Sequence, residues 1–210
     1  MFSTSALAAS SGSCGATGSS VNYSYDSSTK TLTITGTGAI KDYSDVSTIL
    51  TRVPWYDYRD ECTSLVIGEG VTRIGNRAFY KMTALERATL PSTLTEIGEY
   101  AFAGAGFRNV IVLPKKIERL EANAFSGATL WGIVLPESLV YISGRALSCW
   151  CGSSLVLFEV YIPSSVKYIE PGAFDGAGKE IIYVSSEEQT KTFSEGWAES
   201  RYSPSEVVIT

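Results

Sequence analysis

The sequence contains no histidine. That absence removes the commonest general base, the Ser–His and Cys–His nucleophile pairs, and most zinc sites. Basic residues never cluster beyond Lys115-Lys116, and the net charge is −5. The chain therefore carries no electrostatic footprint for nucleic acid or for an anionic membrane. Long apolar runs are missing as well. The longest, Leu155 to Ile162, is broken by Glu159 and is far too short to insert across a bilayer. Cysteine is sparse, at four residues, which allow three pairings. Cys149 and Cys151 straddle Trp150, a spacing too short for C-x-x-C redox chemistry, and a metal would need further ligands. Cys14, Cys62, Cys149 and Cys151 are thus expected to be structural, with no metal and no cofactor. What remains is an ordinary folded composition, 44% apolar and 19% charged over 210 residues, enough for one continuous core.

What the chain has in abundance is repetition. Pro91, Pro114, Pro136 and Pro163 stand 23, 22 and 27 residues apart, and Gly68 holds the same slot 23 residues earlier. Six residues after each slot comes Ile74, Ile97, Leu120, Ile142 or Ile169. Ten and eleven residues after it come Ala78-Phe79, Ala101-Phe102, Ala124-Phe125, Ala146-Leu147 and Ala173-Phe174. A period of 20 to 29 residues with recurring Leu or Ile is the signature of a leucine-rich-repeat solenoid. Before each slot, residues such as Leu130, Ile133 and Leu135 alternate inward on a short strand, ended by a proline that cannot donate to a ladder. Ile97-Gly98 then turns the chain, and Ala-Phe sits on a short helical turn with its ring between coils. The predicted fold is α/β with mostly short strands: a right-handed leucine-rich-repeat solenoid with an N-terminal β-hairpin cap and a short C-terminal cap.

The organisation follows. Residues 1–13 are rich in Ser and Ala and contain Ala6-Leu7-Ala8, read as a signal-peptide remnant or a disordered leader outside the fold. Residues 14–61 form the N-terminal cap, because Val21 to Tyr25 and Thr31 to Thr35 alternate around a turn at Asp26 to Thr29. Residues 62–180 hold five repeats. Residues 181–210 form the C-terminal cap, with Phe193 and Trp197 on one helix face. Arg108 occupies a Leu slot beside Phe107, which predicts a one-residue bulge. The fourth repeat replaces Phe by Leu147 and is about four residues longer afterwards.

The repeats resemble the BspA-like leucine-rich-repeat family of bacterial surface proteins. The Ile-Gly-x-x-Ala-Phe core carries the resemblance, with Gly12-Ser-Cys-Gly15, Leu32 to Gly38, Pro54-Trp-Tyr56 and Gly70 to Gly75. It covers residues 12 to about 200. It implies a secreted or surface-attached protein of a host-associated bacterium, an adhesin-like binding module, and no catalytic motif. The family's usual Cys three residues after Phe is replaced here by Met82, Ala105, Ala128, Trp150 and Ala177.

Carboxylates are the only acid–base candidates. Asp57, Asp60 and Glu61 cluster, as do Glu187 and Glu188, and a glycosidase needs two such groups across a cleft; on a solvated loop they are ordinary surface charge. Leu90-Pro-Ser-Thr-Leu94 resembles a sortase signal but lacks its Gly and apolar tail. The outward strand positions are more informative. Five residues before the slots lie Thr63, Glu86, Asn109, Trp131 and Phe158; two before lie Val66, Thr89, Val112, Val134 and Tyr161. Early repeats are polar there, whereas Trp131, Val134, Phe158 and Tyr161, with Trp150 in the adjoining insertion, group aromatics at one end. These five are the candidate binding residues. The expected partner is an extracellular protein or glycan of the host or a neighbouring cell, met by a monomer; a carboxylate glycosidase and a structural spacer are the alternatives.

Overall fold

The N-terminal segment opens the sheet that the repeats continue. In the computed structural model, which describes residues 10–44, 53–149, 158–175, 180–198 and 206–209, four strands come first. They are β1 (Ser10–Ser13), β2 (Asn22–Asp26), β3 (Thr31–Thr35) and β4 (Gly38–Ala39). The expected hairpin is present, β2 antiparallel to β3. Ser10–Ser13 is not outside the fold: β1 pairs antiparallel with β2, so these four residues of the expected leader belong to the sheet. β3 in turn lies parallel beside the first repeat, with Leu32 opposite Leu65 and Ile34 opposite Ile67. These residues form a partial coil of the solenoid itself.

Each repeat contributes two strands, one before its slot and one after. In order they are β5 (Ser64–Ile67), β6 (Val71–Ile74), β7 (Arg87–Thr89), β8 (Glu96–Ile97), β9 (Val110–Val112), β10 (Arg119–Leu120), β11 (Gly132–Val134), β12 (Tyr141–Ile142), β13 (Phe158–Ile162) and β14 (Tyr168–Ile169). The post-slot strands, led by β4, form one continuous six-stranded sheet, β4-β6-β8-β10-β12-β14. Its parallel register puts Ile74, Ile97 and Leu120 side by side, then Ile142 and Ile169. The pre-slot row is in three pieces: β1-β2-β3-β5-β7, then β9-β11, then β13 onward. One break falls between β7 and β9, where a bulge is expected. Phe107 turns inward and its ring packs 5.4 Å from that of Phe102, while Arg108 is exposed.

The third side of each coil is the Ala-Phe turn, and its conformation departs from a helical turn. Nine residues after the slot, Arg77, Tyr100, Asn123, Arg145 and Gly172 all adopt φ between 55° and 65°. This left-handed backbone reverses alternate peptides, so neighbouring coils bond there too. Arg77, Phe79 and Lys81 N–H donate to the carbonyls of Glu99, Ala101 and Ala103 at 2.8–2.9 Å. Gly75 and Gly98 serve close approach rather than a turn. A Cβ on Gly75 would collide with the Lys41 carbonyl, and one on Gly98 with Asn76. A hydroxyl ladder joins the coils as well: Thr93, Ser138 and Ser165 donate to the carbonyls of Val71, Ile117 and Leu139 at 2.7–2.8 Å.

Inside run two columns, aliphatic and aromatic. Trp55, Phe79, Phe102 and Phe125 stack at 5.3–5.4 Å between centroids, each fully buried. Trp55 heads the column, its Nε1 donating to the Ala78 carbonyl at 2.9 Å. Burial of such rings is the main stabilising term, and no single repeat has a partner for its own ring.

Three expectations need correction. Helix is nearly absent among the described residues: one 3-10 turn (Tyr56–Tyr58) and one four-residue helix, α1, Glu187–Thr190. The fold is therefore a β-solenoid rather than an α/β protein. The solenoid also continues past 180: β15 (Glu180–Val184) pairs in parallel with β13, and β16 (Glu206–Ile209) with β15. Finally, Phe193 and Trp197 are not on a helix, since α1 stops at Thr190 and turns follow. Their rings still meet at 5.0 Å, and Trp197 lies edge-on to Phe174 at 6.3 Å.

Candidate binding surface

Strand alternation decides which side chains the pre-slot row presents. One and three residues before the slot point inward: Ile111, Leu113, Ile133, Leu135, Val160 and Ile162 are all buried. Two and four before point outward. Of the expected residues, Trp131 is 56% exposed, Val134 49% and Tyr161 60%. Val134 stands on β11 and Tyr161 on β13, which pack beside each other. Phe158 opens β13 opposite Glu180; its side chain, and the whole of Trp150, lie outside the described residues.

The apolar surface starts one coil earlier than expected. Val110 is 50% exposed and Val112 64%, and Val112 sits opposite Val134 in register. The third repeat is therefore not polar on this face. Its Val-Ile-Val run is the available signal: Val112 is among the outward positions named from the sequence, although the early repeats read as polar there. At the other end Tyr161 stacks on Tyr183, centroids 4.3 Å apart and planes within 7°. The two rings occupy each other's faces and show their edges to solvent.

Charge on this row is mixed in the early coils, where exposed Glu86 adjoins Arg87, and acidic in the later ones. Arg87 lies on β7, and exposed Arg108, Lys115 and Lys116 flank β9. Strands β11, β13, β15 and β16 contain Glu159, Glu180 and Glu206 and no Lys or Arg. Glu137, just past β11, is also exposed.

The cysteines offer no reactive site among the described residues. Cys14 and Cys62 are buried thiols. Burial pushes the Cys14 thiol up to about 11, against a smaller opposite pull from Lys41, and raises Cys62 too. Neither is a thiolate at neutral pH, the form that attacks or ligates. Cys149 is buried, its Sγ 3.6 Å from the Phe125 carbonyl, and Cys151 lies outside the described residues. Among the described residues, the carboxyls that shift all shift down. Ser28 hydrogen bonds lower Asp26, the Ser92 amide lowers Glu69, and the Tyr141 hydroxyl lowers Glu170. For Asp42 burial opposes the shift, but the Asn76 amide and Arg73 outweigh it.

Comparison with known proteins agrees with the coil count. The family described as BspA type leucine rich repeat region matches residues 55–194 in six copies, which takes in Trp55 and the coil begun by β15. No curated protein matches the chain. A solved leucine-rich repeat protein from Eubacterium ventriosum ATCC 27560 is 19% identical with a TM-score of 0.55, covering 92% of this chain and 62% of that one. A leucine rich cell surface protein from Faecalibacterium prausnitzii A2-165 is 20% identical with a TM-score of 0.36, covering 80% and 54%. The chain thus spans about three fifths of the length of the first of these structures, and its likeness to that one is of fold. With six copies over most of its length, the chain belongs to the BspA-type leucine-rich repeat family.

Proposed function

We propose that this chain is a binding module displayed outside a bacterial cell, secreted or on its surface. It recognises a protein or glycan of a host or neighbouring cell through the apolar end of its pre-slot strand face. One observation carries the reading: Trp131, Val134 and Tyr161, with Val110 and Val112, are each about half or more exposed on one row of strands. Apolar side chains gathered on a folded surface mark interaction sites, and buried aromatics are the usual anchors once a partner arrives. The repeat architecture suits this role, since it holds such side chains on a rigid, extended surface. Leucine-rich-repeat relatives are typically non-enzymatic. A glycosidase needs a carboxyl held protonated, and among the described residues the carboxyls that shift all shift the other way.

The test is capture from host-matrix and cell-surface extracts on immobilised wild type and on Trp131→Ala. A protein or glycan retained by the first and lost by the second is the expected result. A ligand retained equally by both puts the site elsewhere, and capture of nothing from any extract favours the structural spacer.

A further inference from the structure

Resting on that reading, we infer that the strand face of the fourth to sixth coils takes a cationic, apolar peptide segment of a partner protein. Val134 and Tyr161 would receive the segment's apolar side chains, and Glu159 its basic ones. Two features of the face select this occupant. The first is charge. Every formal charge on β11, β13, β15 and β16 is a glutamate, and Glu159 is exposed on the same strand as Tyr161. An apolar column flanked by acids attracts a basic partner and repels an acidic one. The same acids disfavour a second copy seated on this patch, because a two-fold axis through it would set Glu159 of one copy against the like charges of the other.

The second feature is ring geometry. A sugar is gripped by an aromatic face, but Tyr161 and Tyr183 lie 4.3 Å apart and nearly parallel, each covering a face of the other. What they present is ring edge beside aliphatic Val134, a surface that fits aliphatic and aromatic side chains better than a pyranose.

Fluorescence anisotropy of labelled peptides at physiological salt tests this. The probes are a mixed leucine–lysine peptide, its leucine–glutamate counterpart and, by calorimetry, cellohexaose. The lysine peptide should bind the full chain about tenfold or more tighter than the glutamate one, and its binding should weaken with added salt. Tyr161→Ser and Glu159→Lys should each weaken it about tenfold, and Glu86→Lys, on the second coil, should not. Circular dichroism melting shows that each variant is folded. Equal binding of both peptides overturns the inference. So does cellohexaose binding that Trp131→Ala abolishes, or a dimer that Tyr161→Ser dissociates; these leave the face as a binding site and change only its occupant. If Tyr161→Ser and Trp131→Ala weaken no probe, the strand-face reading itself fails.

Discussion

The first two coils and the next three are built on the same inward columns and differ in what they show to solvent. In the first two, outward side chains bind one another. Arg73 lies between Asp42 and Glu96, at 2.8 and 2.6 Å. Glu69 accepts from the Ser92 amide and hydroxyl at 2.9 and 3.0 Å. Arg87 Nε donates to Ser64 Oγ at 3.3 Å. From the third coil on, the positions of Ser64 and Arg87 carry Val110, Gly132 and Glu159, and those two residues further on carry Val112, Val134 and Tyr161 on one face. On the other, Arg119 sits 4.0 Å over the Tyr141 ring, which is 5.8 Å from Tyr168. The inner columns are equally buried in both regions, so packing does not require the change. A surface that coil stacking leaves free, and that nevertheless turns apolar, points to selection for contact rather than for stability.

That comparison assumes a common core, and the severest test is to damage it. Phe102 is fully buried between Phe79 and Phe125, so Phe102→Ala should cost roughly 3–5 kcal/mol in urea unfolding. An unchanged midpoint would mean the ring column does not carry the fold. Next in size is a contrast at a single repeat position, seven residues after the slot, held by Gly75 and by Ser143. A methyl on Gly75 meets the Lys41 carbonyl, and the backbone must move, at about 2–3 kcal/mol. Ser143→Ala loses only the hydroxyl that accepts from Arg119 Nη2 at 3.2 Å, about 1 kcal/mol. Equal losses would deny that the early coils are the more closely apposed.

Much of this architecture could be read from spacing because buried side chains recur at fixed intervals. Ile74 through Ile169 and the Ala-Phe pairs are such columns. β3 was expected at Thr31 to Thr35 and lies there; β2 lies one residue later than Val21 to Tyr25. The sixth coil was hidden because it lacks both Pro and Ala-Phe, although Ile182 and Val184 keep the inward alternation. The left-handed turns at Arg77, Tyr100 and Arg145 leave no trace in residue type. Inter-coil hydrogen bonds impose them, and only Gly172 and Asn123 hint at them. The hydroxyl ladder was visible as Pro-Ser-Thr, Pro-Glu-Ser and Pro-Ser-Ser, but its partners lie a coil away. On the surface, parity places Val134 and Tyr161 outward; Trp131 has the inward parity and is exposed because it precedes β11. The Tyr161–Tyr183 stack depended on the unseen coil.

At the apolar end, the effects should appear in binding rather than in folding. Trp131→Ala or Tyr161→Ala should lose about 2 kcal/mol or more of affinity for a captured partner, while stability changes by under about 1 kcal/mol. Thr89→Ala, in the polar stretch of the same column, should change neither. If Trp131→Ala destabilises as Phe102→Ala does, that ring belongs to the core. A smaller effect concerns acid. The Tyr141 hydroxyl and Gly144 amide, each 2.6 Å from Glu170, hold its carboxyl below the usual range. The stabilisation is therefore complete above the unfolded carboxyl pKa of about 4.3 and is lost as pH falls through the lower folded value. Glu170→Gln should cost about 1 kcal/mol near neutral pH and flatten the acid limb of a stability–pH profile; an unchanged limb would show that the hydrogen bonds are not formed in solution.

The smallest expected effect is a gain, in the early coils. Lys81 adopts φ 54°, and the equivalent residues of the next two coils are Gly104 at 69° and Gly127 at 66°. A left-handed backbone costs a β-carbon-bearing residue roughly 1–2 kcal/mol, whereas glycine adds roughly 0.5–1 kcal/mol of unfolded-state entropy to overcome. Lys81→Gly keeps the amide bond to Ala103, at 2.8 Å, and gives up the side-chain stem that lies against Gly104. The balance favours the variant by about 0.5 kcal/mol, a rise of roughly 1–2 °C in Tm. Tyr80→Gly, one residue earlier and outside the left-handed region, gains no such relief and should lower Tm. A fall for both would show that the stem of Lys81 stabilises the turn by more than its backbone strain costs. The early coils would then be held by side-chain cover on this third side too, as they are on the two sheet faces.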